Sequence, residues 1–344
     1  MSRTCILHAG MHKTGSTSIQ VALDGYANDR LIYAPLASSN HSFAVMDLFS
    51  GRSEAALNEF FASRASQDYL QRRTTLRGDF QTLLETDRRD LLISAEELTG
   101  QMLQGDGIDI LLAALRPHFD RIRLIAYVRE PKSFVISMQN QKLRERITDF
   151  DPAQWYPGYR ARFQPWIDRL GAENVELVLY HRSALEGGDA IRDLAGRVGA
   201  LLGNGDQRNV NISYSAEATA LHQLWLRRLG DAQLSFRARA AISYGKRRVT
   251  EFGQTPFGID PDLLSRIAAS QADDIRWIED QLGCTFPEHR QKPDARLFHD
   301  QAELMACATE AEATFWHQIR ACWRPWKDSV LAIEAGARTL AGQD

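Results

Sequence analysis

Four short runs in the first half of the chain are almost wholly apolar: residues 4–8 (TCILH), 90–94 (DLLIS), 121–128 (RIRLIAYV) and 175–180 (VELVLY). Each is bounded by polar or glycine-containing segments. Runs of this length without clean polar alternation suit strands buried on both faces, as in a parallel sheet. Between them lie stretches with apolar residues three and four apart, which predict helices over residues 16–23, most of 55–86, 108–115, 132–143 and 189–198. Pro117 stops the third of these. Strands alternating with helices imply an α/β fold, a P-loop-like three-layer arrangement with a central parallel sheet flanked by helices. After residue 200 the pattern changes to helices and loops, over 215–229, 261–282 and 300–318, and no strand is predicted there. No internal repeat or low-complexity linker interrupts the chain. The expectation is one domain over 1–344, with an α/β core at 1–200 and a mainly helical extension at 201–344.

Composition narrows the class. The 344 residues are 44% hydrophobic and 25% charged, ordinary globular material. A net charge of −3 argues against a dedicated nucleic-acid binder. Cys5, Cys284, Cys307 and Cys322 are scattered without a CxxC pair, which disfavours a disulfide framework or zinc knuckle and fits a reducing compartment. The nine histidines show no metal-ligand spacing. No apolar stretch approaches the ~20 residues of a membrane span, and the first residues lack a charged-then-apolar leader. The expected location is the cytoplasm.

The first strand runs into CILHAGMHKTGSTSIQ, residues 5–20. Gly10 and Gly15 have the GxxxxG spacing of a nucleotide-binding Walker A loop, but Ser16 follows Gly15 where that motif has lysine. Lys13 instead lies two residues before the second glycine. A strand, a glycine-flanked turn and a helix start together make an anion site, because the helix N-terminus presents unpaired N–H groups and a positive dipole end. Lys13 adds a cation, and Ser16, Thr17 and Ser18 add hydroxyl donors. The plainer alternative is a strand-to-helix turn with a solvated lysine.

The core Lys13-Thr14-Gly15-Ser16-Thr17 resembles the first loop of sulfotransferases that use 3′-phosphoadenosine 5′-phosphosulfate (PAPS), where the lysine also precedes the glycine. That family's second signature is an arginine after a later strand and a serine eight residues on, both gripping the 3′-phosphate. Arg129 and Ser137 have that order and spacing. Arg129 can fork onto phosphate oxygens, and Pro131 suits the first turn of a helix. A third likeness is the strand ending at Tyr180, which the resemblance puts near adenosine. His181 stands where the family usually has an acid. The resemblance spans roughly residues 4–230 and points to a bacterial, carbohydrate-sulfotransferase-like branch. It implies a donor site of His12, Lys13, Thr14, Gly15, Ser16, Thr17, Ser18, Arg129, Ser137 and Tyr180. PAPS would be the donor and adenosine 3′,5′-bisphosphate (PAP) the product, with Lys13 neutralising the leaving phosphate and no metal required.

Sulfuryl transfer to a hydroxyl also needs a base. Catalytic groups of open α/β sheets gather at the carboxyl ends of strands, where Ser94-Ala95-Glu96-Glu97 follows the second strand. Carbohydrate sulfotransferases often use a glutamate base, the small-molecule branch a histidine near this strand end. No histidine lies between His41 and His118, and bacterial relatives often carry Ser-x-Glu here, so Glu96 is favoured. Glu97 and His12 stay open, and His8 reads as a packed strand residue. The plain alternative is an acid-rich helix start capped by Ser94.

Three further clusters have structural readings first. Arg237, Arg239, Lys246, Arg247 and Arg248 read as a solvated helix face, or as a segment folding over an anion. Trp155, Tyr156, Tyr159, Phe163 and Trp166 read as core, or as a sugar platform. Trp316, Trp323 and Trp326 read as packing for the helical end. The rival functions are a P-loop kinase or NTPase, which needs Gly-Lys-Ser/Thr and a metal-binding aspartate, and a non-catalytic nucleotide binder. The acceptor is expected to be a hydroxyl on a glycan, glycolipid or small metabolite.

Overall fold

The computed structural model describes residues 2–321 other than 12, 63, 104, 203–213 and 231–234. His12, Cys322, Trp323 and Trp326 lie outside the described residues. The chain forms two compact units: Met1–Met138, Trp155–Ile212 and Ser265–His289 make the first, and Gln139–Gln154, Ser213–Leu264 and Arg290–Asp344 the second. The units interleave along the sequence, so neither coincides with 1–200 or 201–344.

The first unit is built on five strands, β1 (Thr4–His8), β2 (Leu31–Tyr33), β3 (Asp90–Ser94), β4 (Arg121–Val128) and β5 (Val175–Leu179). They form one sheet in the order β2-β3-β1-β4-β5, parallel throughout. The expected central parallel sheet is therefore present. Its helices include α1 (Ser16–Leu23), α2 (Ser42–Phe49), α3 (Glu54–Ala62), α4 (Gln67–Thr86) and α5 (Asp106–Leu115). They continue with α6 (Pro131–Glu145), whose first turns belong here, then α7 (Tyr159–Leu170) and α8 (Ala190–Val198).

The period-two rule of strands decides which layer each side chain joins. Cys5 and Leu7 of β1, Leu91 and Ile93 of β3, and Leu124, Ala126 and Val128 of β4 enter one core. There they meet Phe80 of α4, Leu111 of α5 and Tyr159, Phe163 and Trp166 of α7. Ile6, Leu92, Ile125 and Tyr127 point to the opposite face and pack with Ile19 and Leu23 of α1 and Leu194 of α8. Helices thus cover both faces, which is why the strands read as unbroken apolar runs. The aromatic run at 155–166 is largely core: Tyr159, Phe163 and Trp166 are fully buried.

Two elements of this unit escaped the periodicity reading. Strand β2 has only three residues, too few to show a period, and Asn28 starts it by accepting the amides of Arg30 and Leu31 at 2.8 Å each. The segment read as mostly helical over 55–86 is two helices, and Ser66 caps the second by accepting the Tyr69 amide at 3.2 Å.

The second unit contains α9 (Ala216–Leu229), α10 (Phe236–Arg248), the start of α11 (Pro261–Ser270), and α13 (Gln301–Ala321). α12 (Ala272–Leu282) belongs to the first unit, so the helix expected over 261–282 is two helices. Trp225 of α9 is fully buried against Phe315 of α13, with ring centroids 5.0 Å apart in an edge-to-face pair. Gly245 lets α10 approach this cluster, since a Cβ there would lie 2.9 Å from the Trp225 ring. Two three-residue strands, β6 (Phe257–Ile259) and β7 (Arg296–Phe298), pair in parallel where only helices were expected. Pairing of Phe257 with Arg296, far apart in sequence, leaves no local signal at this length. Lys246, Arg247 and Arg248 occupy the last turn of α10, where positive charge complements the helix dipole.

In the first unit, Trp166 links the core to the turn after β3 by donating its Nε1–H to the Leu98 carbonyl at 3.0 Å. Truncating it leaves a cavity and an unpaired carbonyl. Trp166→Ala should cost about 3–5 kcal/mol in the unfolding free energy of the first unit. Urea denaturation followed by tyrosine and tryptophan fluorescence measures this, and a loss under 1 kcal/mol would contradict the packing described.

Candidate active site at the carboxyl ends of the strands

Strand order alone brings the candidate residues to one edge of the sheet. β1 sits between β3 and β4, and β4 lies beside β5. The segments that follow these four strands carry Lys13, Glu96, Arg129 and Tyr180 respectively. The order in which the chain adds strands switches sides at β1, with β2 and β3 on one side and β4 and β5 on the other, and open α/β sheets bind ligands at such switch points. β4 also runs past its neighbour. His8, the last residue of β1, pairs with Ile125, and β4 continues to Val128. Three further residues at ~3.3 Å each lift Arg129 alongside the loop rather than below it.

The loop closes on itself. The Thr14 hydroxyl donates to the Met11 carbonyl at 2.6 Å, and the Thr14 amide reaches the same oxygen at 3.3 Å. Thr14 is fully buried, so its hydroxyl builds the turn. Lys13 has φ 69°, one of three positive values at non-glycine residues among those described. Gly15 caps α1 at φ 78°, a left-handed conformation that glycine adopts without strain. Its Ile19 neighbour begins the helical ladder by donating to the Gly15 carbonyl at 3.1 Å. The amides of the first turn, Ser16 to Ser18, precede that ladder, in the positions where a helix N-terminus has no intrahelical acceptor for its N–H groups. Gly10 is needed for a different reason. A Cβ there would lie 2.0 Å from the Ser16 Oγ. Thr17 is exposed, whereas the Ser18 Oγ is buried without a protein partner among the described residues.

Arg129 meets this loop directly. Its Nη1 donates to the Lys13 carbonyl at 2.8 Å and its Nε to the Ser133 hydroxyl at 3.0 Å. Burial lowers its pKa below the ordinary guanidinium value. The backbone is fixed too, because the Tyr159 hydroxyl donates to the Arg129 carbonyl at 2.6 Å. Tyr180 stands over Gly15, with its hydroxyl 3.2 Å from where a Cβ would be. Burial raises the Tyr180 pKa, and the nearby Arg129 charge opposes that rise. Lys13, Gly15, Arg129 and Tyr180 are therefore brought together. Ser137 is half-buried on α6, one turn beyond Ser133. Ser133 is the hydroxyl Arg129 holds, and sequence spacing gave no sign of it.

The turn carrying Glu96 is held from another element. It is a 3-10 turn over Glu96–Thr99. Ser94 does not cap it. Ser42, at the start of α2, accepts the Glu96 amide at 3.1 Å and the Glu97 amide at 3.5 Å. The preceding His41 pairs with Ser94 twice: its amide donates to the Ser94 carbonyl at 3.1 Å, and its Nδ1 accepts the Ser94 amide at 3.1 Å. His8 lies on the other side of Ser94, with Nδ1 2.7 Å from the hydroxyl. Both rings are neutral, because burial lowers each pKa from 6.5 to about 3. His8 is thus a packed strand residue, as expected. The Glu97 carboxylate lies across Gly100, and its charge opposes the burial that lowers the Arg162 pKa. Among the described residues, no cluster of three or more His, Cys, Asp or Glu side chains is arranged to hold a metal ion. No helix among them is long and apolar enough to cross a membrane.

No family model matches the chain, and no curated protein matches it in sequence. Among solved structures it is similar to the sulfotransferase domain from the curacin biosynthetic pathway, at 12% identity and TM-score 0.35, over 79% of this chain and 98% of that one. It is similar to the sulfotransferase domain of the Synechococcus PCC 7002 olefin synthase, at 15% identity and TM-score 0.34, over 78% and 94%. A third likeness is to mouse sulfotransferase SULT7A1 complexed with PAP, at 9% identity and TM-score 0.32, over 78% and 88%.

The buried histidines make stability pH-dependent with a definite sign. Their folded pKa values, about 3, lie below the ordinary 6.5, so the unfolded chain binds more protons between those values. Stability from this source is complete above about pH 6.5 and is lost as pH falls toward 3, by up to about 1.4 kcal/mol per pH unit per histidine. At pH 5, His41→Asn should reduce the protons taken up on unfolding by about one. Unchanged proton uptake would show that His41 is already charged in the folded protein.

Proposed function

We propose that the chain is a sulfotransferase moving the sulfuryl group of PAPS to an acceptor hydroxyl. The observation that carries this reading is the contact of Arg129 with the Lys13 carbonyl. Two cationic residues from different strand ends converge on one glycine-flanked helix N-terminus. A nucleotide phosphorylated at both the 3′ and 5′ positions needs two such anion subsites side by side.

In this reading the first-turn amides of α1 bind the 5′-phosphosulfate, and the absence of a Cβ at Gly10 and Gly15 keeps the loop compact and open to it. The Ser16, Thr17 and Ser18 segment supplies the amides, and Thr14 keeps the turn closed. The Lys13 ammonium balances charge on the leaving phosphate, so the countercharge does not depend on a divalent ion. Arg129 and Ser137 take the 3′-phosphate, and Tyr180 borders the adenosine. The acceptor oxygen attacks sulfur in line. The new O–S bond forms as the bridging S–O bond to the 5′-phosphate breaks. Glu96 receives the acceptor proton, and PAP departs. Glu96 is preferred to Glu97 because the Glu97 carboxylate is already set against Gly100 and faces the Arg162 charge. His12 is the alternative base. The acceptor belongs to the class of glycan, glycolipid or small-metabolite hydroxyls, and the protein acts in the cytoplasm.

Calorimetry with PAP in the absence of Mg²⁺, and with ATP plus Mg²⁺ as control, tests the donor site. Lys13→Ala should weaken PAP binding by about 10- to 100-fold, as loss of a charge-assisted hydrogen bond does. Tighter binding of ATP with Mg²⁺ would favour a kinase or NTPase instead. Glu96→Gln should leave PAP affinity within about twofold while slowing PAP release from PAPS, with water as acceptor, by about 100-fold or more. An undiminished rate would remove Glu96 from the mechanism.

A further inference from the structure

Lys13 adopts a left-handed backbone, which is costly for a residue with a Cβ and is normal for glycine. Something must hold it there. The Thr14 hydroxyl and amide close the turn from one side, through the Met11 carbonyl. From the other side the Arg129 Nη1–H donates to the Lys13 carbonyl at 2.8 Å. Arg129 is itself locked. Ser133 accepts its Nε–H at 3.0 Å and donates its own hydroxyl hydrogen bond to the Glu130 carbonyl at 2.9 Å. Glu130 in turn accepts the Ser133 amide at 2.7 Å and the Lys132 amide at 2.9 Å, fixing the start of α6. The guanidinium plane thus has one orientation. Its Nε–H and one Nη1–H are engaged, and among the described residues no hydrogen-bond acceptor takes its remaining N–H groups.

We infer that Arg129 is a positioning residue for the 5′-phosphosulfate loop as well as a ligand of the 3′-phosphate, and that it couples the two ends of the nucleotide. This rests on the donor reading above. One planar fork bonds the loop backbone with one nitrogen and meets the 3′-phosphate with another. A 3′-phosphate that orders the guanidinium therefore also orders the Lys13 peptide and, through it, the ammonium beside the leaving group. The pairing discriminates against nucleotides lacking the 3′-phosphate in two ways: they lose a charged contact, and they leave the loop less firmly held. Lysine in place of Arg129 would keep one charge but cannot bond both groups in a fixed plane.

The test compares PAP with 5′-AMP, which lacks the 3′-phosphate. Both are titrated into the full chain and into Arg129→Ala, Arg129→Lys and Ser133→Ala, with thermal unfolding as a check on folding. Arg129→Ala should weaken 5′-AMP by about tenfold and PAP by more. Arg129→Lys should recover part of the PAP-over-5′-AMP preference while 5′-AMP stays weakened. Ser133→Ala, which keeps the charge and frees the guanidinium plane, should weaken 5′-AMP by a few-fold, and it carries the test if Arg129→Ala does not fold. If Arg129→Ala or Ser133→Ala binds 5′-AMP within twofold of the unaltered protein, while PAP alone suffers, Arg129 is a 3′-phosphate ligand only and the inference is overturned. Equal affinity of the unaltered protein for PAP and 5′-AMP would instead overturn the donor reading, with the loop contact still read by 5′-AMP. Binding of neither nucleotide overturns both.

Discussion

β1 has no face or edge left to water. Cys5 and Leu7 fill one core, Ile6 fills the other, and its backbone pairs with β3 on one side and β4 on the other. A strand buried in this way can slip by neither one residue nor two, because one step would exchange its two apolar faces and any step would strand backbone groups without partners. The register of β1 therefore fixes where its loop begins. It also fixes that loop's neighbours, since the His8–Ser94 and His8–Ile125 pairs place the ends of β3 and β4 around it.

From that constraint the site's two halves follow by different means. On the β4 side, extra strand length delivers Arg129 to the Lys13 carbonyl. On the β3 side, a polar bracket does the work. His41 and Ser42 arrive from the start of α2 and take up the amides of Ser94, Glu96 and Glu97. A buried amide without a partner costs about 1–3 kcal/mol, so three of them need acceptors. One neutral histidine, His41, and the Ser42 hydroxyl meet that need without burying a charge beside the loop.

The loop depends on one unfavourable conformation. Lys13 takes a positive φ two residues before the glycine cap of α1. Strain of this kind persists where surrounding bonds over-determine it, and it clusters at functional sites. Thr14, Met11 and Arg129 provide those bonds here. The lysine cannot be replaced by glycine without losing the ammonium, so backbone strain and side-chain charge are held at the same residue.

The local pattern of residues was enough for the parallel sheet, for β1, β3, β4 and β5, and for the glycine-flanked loop, because each is encoded by neighbours in sequence. Strand burial shows as apolar runs, and a tight loop shows as glycines at fixed spacing. The same pattern put Lys13, Glu96 and Arg129 just after strands and Tyr180 at the end of one, and it was the family resemblance that singled out Arg129 and Tyr180. It could not reveal β2, β6 or β7, whose three residues carry no period. Nor could it show that Ser133 holds Arg129, that Ser42 rather than Ser94 holds the Glu96 turn, or that Thr14 turns inward. Those contacts join groups 54 residues apart, or depend on which way a helix turns, and only packing sets them. Sequence by itself determined which chemical groups stand at the strand ends. The tertiary structure decided which of them touch, because hydrogen bonds between distant segments exist only once register and layer packing have fixed the distances.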